Sequence, residues 1–142
     1  MSKILVRITI EMIGQPEVVL LQALKNVSKE ISEKYETSDI VLSDAEKIGT
    51  TLMSAFVEMK VRVENYEELS NLVIDYMPSF VEVLEPDEIN VKMGELEQSI
   101  NNFVAMIQKL DKQLKYIAAK NIIMQKEMQE KKNTKKKTRK SK

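Results

Sequence analysis

The densest chemistry in this chain lies in residues 131–142 (KKNTKKKTRKSK), which carry Lys131, Lys132, Lys135, Lys136, Lys137, Arg139, Lys140 and Lys142 with no acid and no apolar side chain. Eight cations in twelve residues make a polyelectrolyte. Such a segment displaces condensed counterions from a nucleic acid or a ribonucleoprotein, giving sequence-independent binding that falls steeply with salt. With nothing apolar to bury, it cannot recover the entropy of ordering, so residues 131–142 are predicted to be a disordered tail. A plainer role for the same lysines is to solvate a helix end and offset its C-terminal dipole. An anionic membrane is a poorer partner, because no Trp or Phe anchor and no lipidation motif accompanies the cations.

Carboxylates are the other chemically capable groups. They occur in pairs at Glu67 and Glu68, at Glu82 and Glu85, and at Asp87 and Glu88. Acid–base work requires one member of a pair to sit in an apolar pocket with a raised pKa, and no such pocket is indicated. Adjacent acids instead suit helix starts, where they meet the positive end of the dipole. On that ground Asp87 and Glu88 are predicted to begin a helix after Pro86. The sequence has no Cys, no His and no Trp, which removes thiolate nucleophiles, imidazole bases and the usual zinc ligands. Gly14, Gly49 and Gly94 stand alone, so there is no phosphate-cradling glycine loop, and no calcium-loop pattern occurs. The expectation is a protein that is not an enzyme and uses no cofactor and no metal.

These groups must be positioned by something, and the strongest periodicity in the chain lies just before the lysines. With Met93 at heptad position a, the a residues are Met93, Ile100, Ile107, Leu114, Asn121 and Met128, and the d residues are Leu96, Phe103, Leu110, Ile117 and Met124. Ten of the eleven are apolar. A 3.5-residue period held over five heptads predicts a coiled-coil seam, and a lone polar a residue, Asn121, is the type that fixes register and strand number. A parallel homodimer is the first expectation. The flanking positions include apolar Val104 and Met106, with Ile122 and Ile123 on other sides. A stripe that wide also suits a helix packed on its own sheet, a helix hairpin, or more than two strands.

Upstream, Ile4, Val6, Ile8 and Ile10 alternate with Leu5, Arg7, Thr9 and Glu11, the period of two expected of a half-buried strand over residues 3–11. Pro16 suits a first helical position, and Val19, Leu20, Ala23, Leu24, Val27 and Ile31 predict a helix over 16–35. Residues 39–43 and 51–64 read as two strands paired through the turn-like DAEKIGT. Asn65 with Glu68 approximates a capping box that opens a helix with Leu69, Leu72, Val73 and Tyr76 on its buried stripe. Pro78 stops that helix. Residues 79–85 form a last strand with Val81 and Val83 inward. The order strand, helix, strand, strand, helix, strand predicts an α+β, ferredoxin-like βαββαβ sandwich with both helices on one side of the sheet. Its other face, the open sheet face, would expose Leu5, Phe56, Phe80 and Leu84 beside Arg7, Lys60, Arg62 and Glu82. Apolar groups gathered there usually mark a contact. The same strand order occurs in RNA-recognition modules, but SAFVEMKVRVE lacks their basic–glycine–aromatic pattern.

Charge divides the chain. Residues 1–90 carry 8 basic and 17 acidic side chains, residues 91–142 carry 14 and 5, and the net charge of zero conceals this −9 and +9 separation. Three parts follow: an acidic ferredoxin-like domain (1–90), a long amphipathic helix (91–130) and the lysine-rich tail (131–142).

The segment FVEMKVRVENYEELSNLVIDYMPSFVEVLEPDEI, Phe56 to Ile89, resembles the C-terminal extension of WYL-domain transcription regulators, in which a strand, a helix of the EEL type and a strand ending in VEVLEP recur. The resemblance implies a ferredoxin-like accessory module with a regulatory, non-catalytic role. It covers about a quarter of the chain, and the ligand-sensing and helix-turn-helix domains of those regulators have no counterpart here.

The 142 residues are about one domain's worth. MSKILVRITIEMIG reaches Arg7 and Glu11 too early for the apolar core of a signal peptide, and no apolar run approaches a membrane span. Cytoplasmic placement is expected. The sequence therefore predicts an oligomeric adaptor or regulatory protein, dimeric by first choice, whose tail holds nucleic acid or ribonucleoprotein, with a further protein partner allowed. The alternative is a sensor domain that binds a small molecule or protein on the open sheet face.

Overall fold

The alternation at the start of the sequence runs on as strand β1, Ile4–Gly14, in the computed structural model, which describes residues 3–140. Its long partner β4, Leu52–Val63, lies antiparallel to it, from Ile4 opposite Val63 to Gly14 opposite Met53. Because side chains alternate across a strand, this register gathers Ile4, Val6, Ile8 and Ile10 with Ala55, Val57, Met59, Val61 and Val63 on one face, all buried. Helix α1, Glu17–Lys34, covers that face with Leu20, Leu24 and Ile31, and α2, Tyr66–Tyr76, adds Leu72 to the same cluster. The body is α+β, with both helices on one side of the sheet.

Strand β2, Glu36–Leu42, begins three residues before the predicted strand and pairs with β4. Its register shifts between Ser38 and Val41, where Asp39 takes a left-handed φ of 50°. The segment read as a turn contains a further strand, β3, Glu46–Ile48, which pairs with Leu52–Ser54. Only residues 49–51 turn, with Gly49 at φ 68°, a conformation open to glycine because it has no Cβ. β4 is long enough to overrun β2, and β3 takes up its otherwise unpaired backbone groups. Last comes β5, Phe80–Glu85, antiparallel to β1. The sheet order is β2-β4-β1-β5, with β3 beside β4.

Helix ends follow local chemistry. Pro16 is the cap residue of α1 and not its first helical residue; its carbonyl oxygen accepts the Leu20 N–H at 3.1 Å. At α2 the Asn65 side chain accepts the Glu68 N–H at 3.0 Å, and the Glu68 carboxylate accepts the Glu64 N–H, one residue before the expected reciprocal partner. Met77 closes α2 in a left-handed conformation, its N–H reaching Val73 O at 2.9 Å, just before Pro78.

Three further expectations are corrected. Val19 is exposed, because it lies on the flank of the Leu20, Leu24, Ile31 stripe. Val83 faces the core side opposite Val6 but stays 55% exposed, because β5 is an edge strand. Asp87 and Glu88 do not start a helix: residues 86–92 are irregular and helix α3 spans Met93–Lys140, consistent with the poor helix propensity of β-branched Ile89 and Val91 around Asn90.

Helix α3 also continues through the lysine-rich segment, where the sequence predicts disorder. Lysine is a good helix former, Thr134 and Thr138 bond back to Glu130 O and Thr134 O at 2.9 Å, and the cations complement the negative end of the helix. The chain divides into two compact units, 1–99 and 100–142. No helix among the described residues is long and apolar enough to cross a membrane.

Candidate functional site

Two surfaces hold the residues that the sequence singles out: the open sheet face and α3. On the sheet, the β1–β4 register sets Arg7 opposite Lys60, with Glu82 of β5 on its other side. Like charges opposed in this way are tolerated because acids surround them. Arg7 Nη1 meets Glu82 Oε2 at 2.8 Å and its Nε meets Glu58 Oε1 at 3.6 Å. Lys60 meets Asp39 at 3.0 Å and Arg62 meets Glu85 at 3.8 Å. The cations Arg7, Lys60 and Arg62 are therefore each matched by a carboxylate. An incoming phosphate would have to displace those carboxylates.

The apolar residues of this face do not form one platform. Leu5 and Leu84 are half-buried beside the β1–β5 register shift, while Phe56 is 41% and Phe80 59% exposed. Phe80 faces Thr9 and Phe56 faces Glu11, so a whole strand and one row separate the two rings. At the usual strand spacing that is about 10 Å or more, too far to stack on the same base. A hollow of about 420 Å³ lies elsewhere, where α2 begins, with Ile4, Asn65, Tyr66, Ile89 and Lys92 in its wall. Members of two of the carboxylate pairs do structural work: Glu68 accepts the Glu64 N–H just before α2, and Glu82 and Glu85 pair with Arg7 and Arg62. Among the described residues no group of three or more acids is placed to hold a metal ion.

Helix α3 is built differently. From Met93 onward the sequence has no proline and only Gly94, at the helix start, so 48 residues propagate without a break over about 72 Å at 1.5 Å per residue. Its first turns belong to the body unit. Ser99, 4% exposed, lies 3.0 Å from the Tyr66 hydroxyl and 3.1 Å from the Ser70 hydroxyl. These polar contacts on α2 were not read from the sequence; serines spaced at Ser70 and Ser99 carry no periodic signal.

Beyond Ser99 the residues assigned to positions a and d lie along one side of the helix. Ile100, Ile107, Leu110, Leu114, Ile117, Met124 and Met128 are exposed, with Ile107 at 61% and Leu114 at 66%, and Asn121 is exposed in the same line. Phe103 is half-buried, as is Leu96 in the body unit. Local contacts decorate the flanks: Asp111 pairs with Lys115 at 2.8 Å, and the Lys120 ammonium stands 5.7 Å from the Tyr116 ring centre. At the far end Lys131, Lys132, Lys135, Lys136, Lys137 and Arg139 are exposed. Among the described residues none of these six has an acid within ion-pair distance. The side chain of Lys140 and the whole of Lys142 lie outside the described residues.

Among the described residues, the arrangement offers an exposed apolar line followed by a cationic one without ion pairs, on a single helix. Comparison with known proteins adds one relation: the family model of the MJ0538 family matches residues 5–137 of this chain. No curated protein and no solved structure shows significant similarity to it.

Proposed function

The chain belongs to the MJ0538 family, and for this member we propose a non-enzymatic, cytoplasmic adaptor that assembles through α3 and holds nucleic acid or ribonucleoprotein through its lysine-rich end. The observation that carries the reading is the contrast in ion pairing. Arg7, Lys60 and Arg62 on the sheet are matched by carboxylates, whereas, among the described residues, Lys131, Lys132, Lys135, Lys136, Lys137 and Arg139 have no acid within ion-pair distance. Unmatched cations release counterions on meeting a polyanion, and matched ones release far fewer. The acidic body repels phosphate, which confines contact to the helix end. Assembly multiplies weak contacts, since linking two sites raises effective concentration and gains about 10²–10⁴ in avidity.

The reading also takes the body as a ferredoxin-like sandwich with β3 as an addition, an assignment supported by the antiparallel order β2-β4-β1-β5 and by two helices on one face. Binding of the intact chain and of a version ending at Glu130 to one nucleic acid, measured across a salt series, tests it. The intact chain is expected to bind with a steep salt dependence and the shortened one to lose it. Equal affinity would remove the tail from function.

A second reading draws on exposed Phe56 and Phe80 and on the resemblance of residues 56–89 to the WYL-regulator extension: the open face senses a small molecule or takes a protein partner. It requires a ligand-induced rise in Tm that persists when residues 131–142 are removed.

A further inference from the structure

Helical backbone through residues 131–139 fixes where their cations point relative to the apolar line. Continuing the heptad beyond Met128 at position a puts Lys131 at the next d and Lys135 at the next a. On a helix of 3.6 residues per turn, Lys131, Lys135 and Arg139 follow one another at four-residue intervals, with Lys132 and Lys136 alongside. Lys137 and Asn133 fall away from this row. The apolar line and the cationic line are thus a single line, whose chemistry changes after Met128.

That change has a consequence for two copies paired in parallel. Asn121 meets its counterpart, and Glu127 at g lies against Lys132 at e of the second copy five residues on, an opposite-charge pair made twice by symmetry. In the two rows that follow Met128, Lys131 would face Lys131 and Lys135 would face Lys135. Like charges cannot share a dry seam, so the paired region must end near Glu130 and the helices must part there. Resting on the assembly proposed above, we infer that the two copies form a fork whose inner faces, lined by Lys131, Lys135 and Arg139, clasp a nucleic-acid duplex.

Charge density favours a duplex over an acidic protein segment. Six cations over residues 131–139 amount to one per about 2.2 Å of helix. A duplex carries one phosphate per about 1.7 Å, whereas an extended peptide carries at most one charge per about 3.3 Å. Once parted, each helix, about 10–12 Å across with its side chains, has the width to enter a major groove about 12 Å across.

The test uses the full chain, a mixed-sequence DNA duplex of about 30 base pairs and, beside it, poly-glutamate. The unsubstituted chain is expected to sediment as a dimer and to bind the duplex with a log–log salt slope steeper than about −5. Lys131→Leu with Lys135→Leu extends the apolar seam: the dimer is expected to tighten while duplex affinity falls at least about 100-fold at ~0.15 M salt, the size expected when a dimer loses four phosphate contacts. Should that variant precipitate, Lys131→Gln with Lys135→Gln removes the charge without adding apolar surface, and the slope is expected to fall by about 3 to 4. Lys126→Gln, upstream of the lysine-rich end and on the side of the helix away from the row, is expected to leave the slope within about 1 of its starting value. A dimer that binds equally well after the paired substitutions overturns the fork while leaving tail binding intact. A monomeric full chain instead overturns the assembly reading itself. Tighter binding to poly-glutamate than to the duplex overturns the choice of partner.

Discussion

On the open face of the sheet Arg7 sits between Glu58 and Glu82, Lys60 meets Asp39 and Arg62 meets Glu85, and each of these partners is delivered by strand register. Along α3, among the described residues, the only ion pair is Asp111 with Lys115, four residues apart on the same helix, and the apolar side chains from Ile107 to Met128 remain exposed. The same residue types are present in both places. What differs is that the sheet supplies cross-strand neighbours and a single helix cannot. A region that satisfies itself contributes to stability, and a region that does not is where a second molecule gains most by arriving.

The largest test of this contrast lies in the core. Leu24→Ala is expected to cost about 2–5 kcal/mol of folding stability, read from urea unfolding, because Leu24 is fully buried between α1 and the sheet. Substitutions on the exposed seam should act on association instead. Leu110→Asp with Leu114→Asp is expected to weaken self-association at least about 100-fold by sedimentation, two charges having been placed in the a/d line, with the urea midpoint of the body unchanged. A drop in that midpoint would mean that the seam is part of the body's own core. Asn65→Ala is expected to cost about 1 kcal/mol, because the Glu68 N–H loses its cap.

Smaller effects come from the surface. Glu82→Gln is expected to cost at most about 1 kcal/mol, since the pair with Arg7 is partly exposed and screened by solvent. At alkaline pH two groups titrate with the same sign. Burial holds the Tyr35 phenol above its ordinary value, and the Tyr76 hydroxyl followed by the Glu30 carboxylate hold the Lys34 ammonium above its own. Groups whose folded pKa is raised contribute fully below their unfolded pKa and lose that contribution as pH rises through the folded one. Stability is therefore expected to decline above about pH 10, and Tyr35→Phe should make urea midpoints at pH 9 and pH 11 differ less than in the parent.

What could be read in advance follows from how each element is encoded. β1, β4 and α1 announce themselves because one face of each is buried, and burial imposes a period on apolar residues. Asn65 and Glu68 gave the start of α2 by the chemistry of capping. β3 left no trace, since Glu46, Lys47 and Ile48 are all exposed and the strand exists only because β4 overruns β2. The exposure of Val83 was equally hidden: alternation gives the side a residue faces, but strand order decides whether anything lies over it. On α3 the helical period of the apolar residues was legible, and so were the cations. That the two are one continuous line depended on the helix persisting beyond Glu130, which composition alone argued against.

The shift in β2 at Ser38 to Val41, with Asp39 turned left-handed, bears on how this molecule behaves in a crowded solution. Together with the gap before β3 it breaks that margin of the sheet into two short lengths, leaving no straight rail on which a neighbouring chain could zip into a fibril. Growth by endless strand addition is denied along that margin.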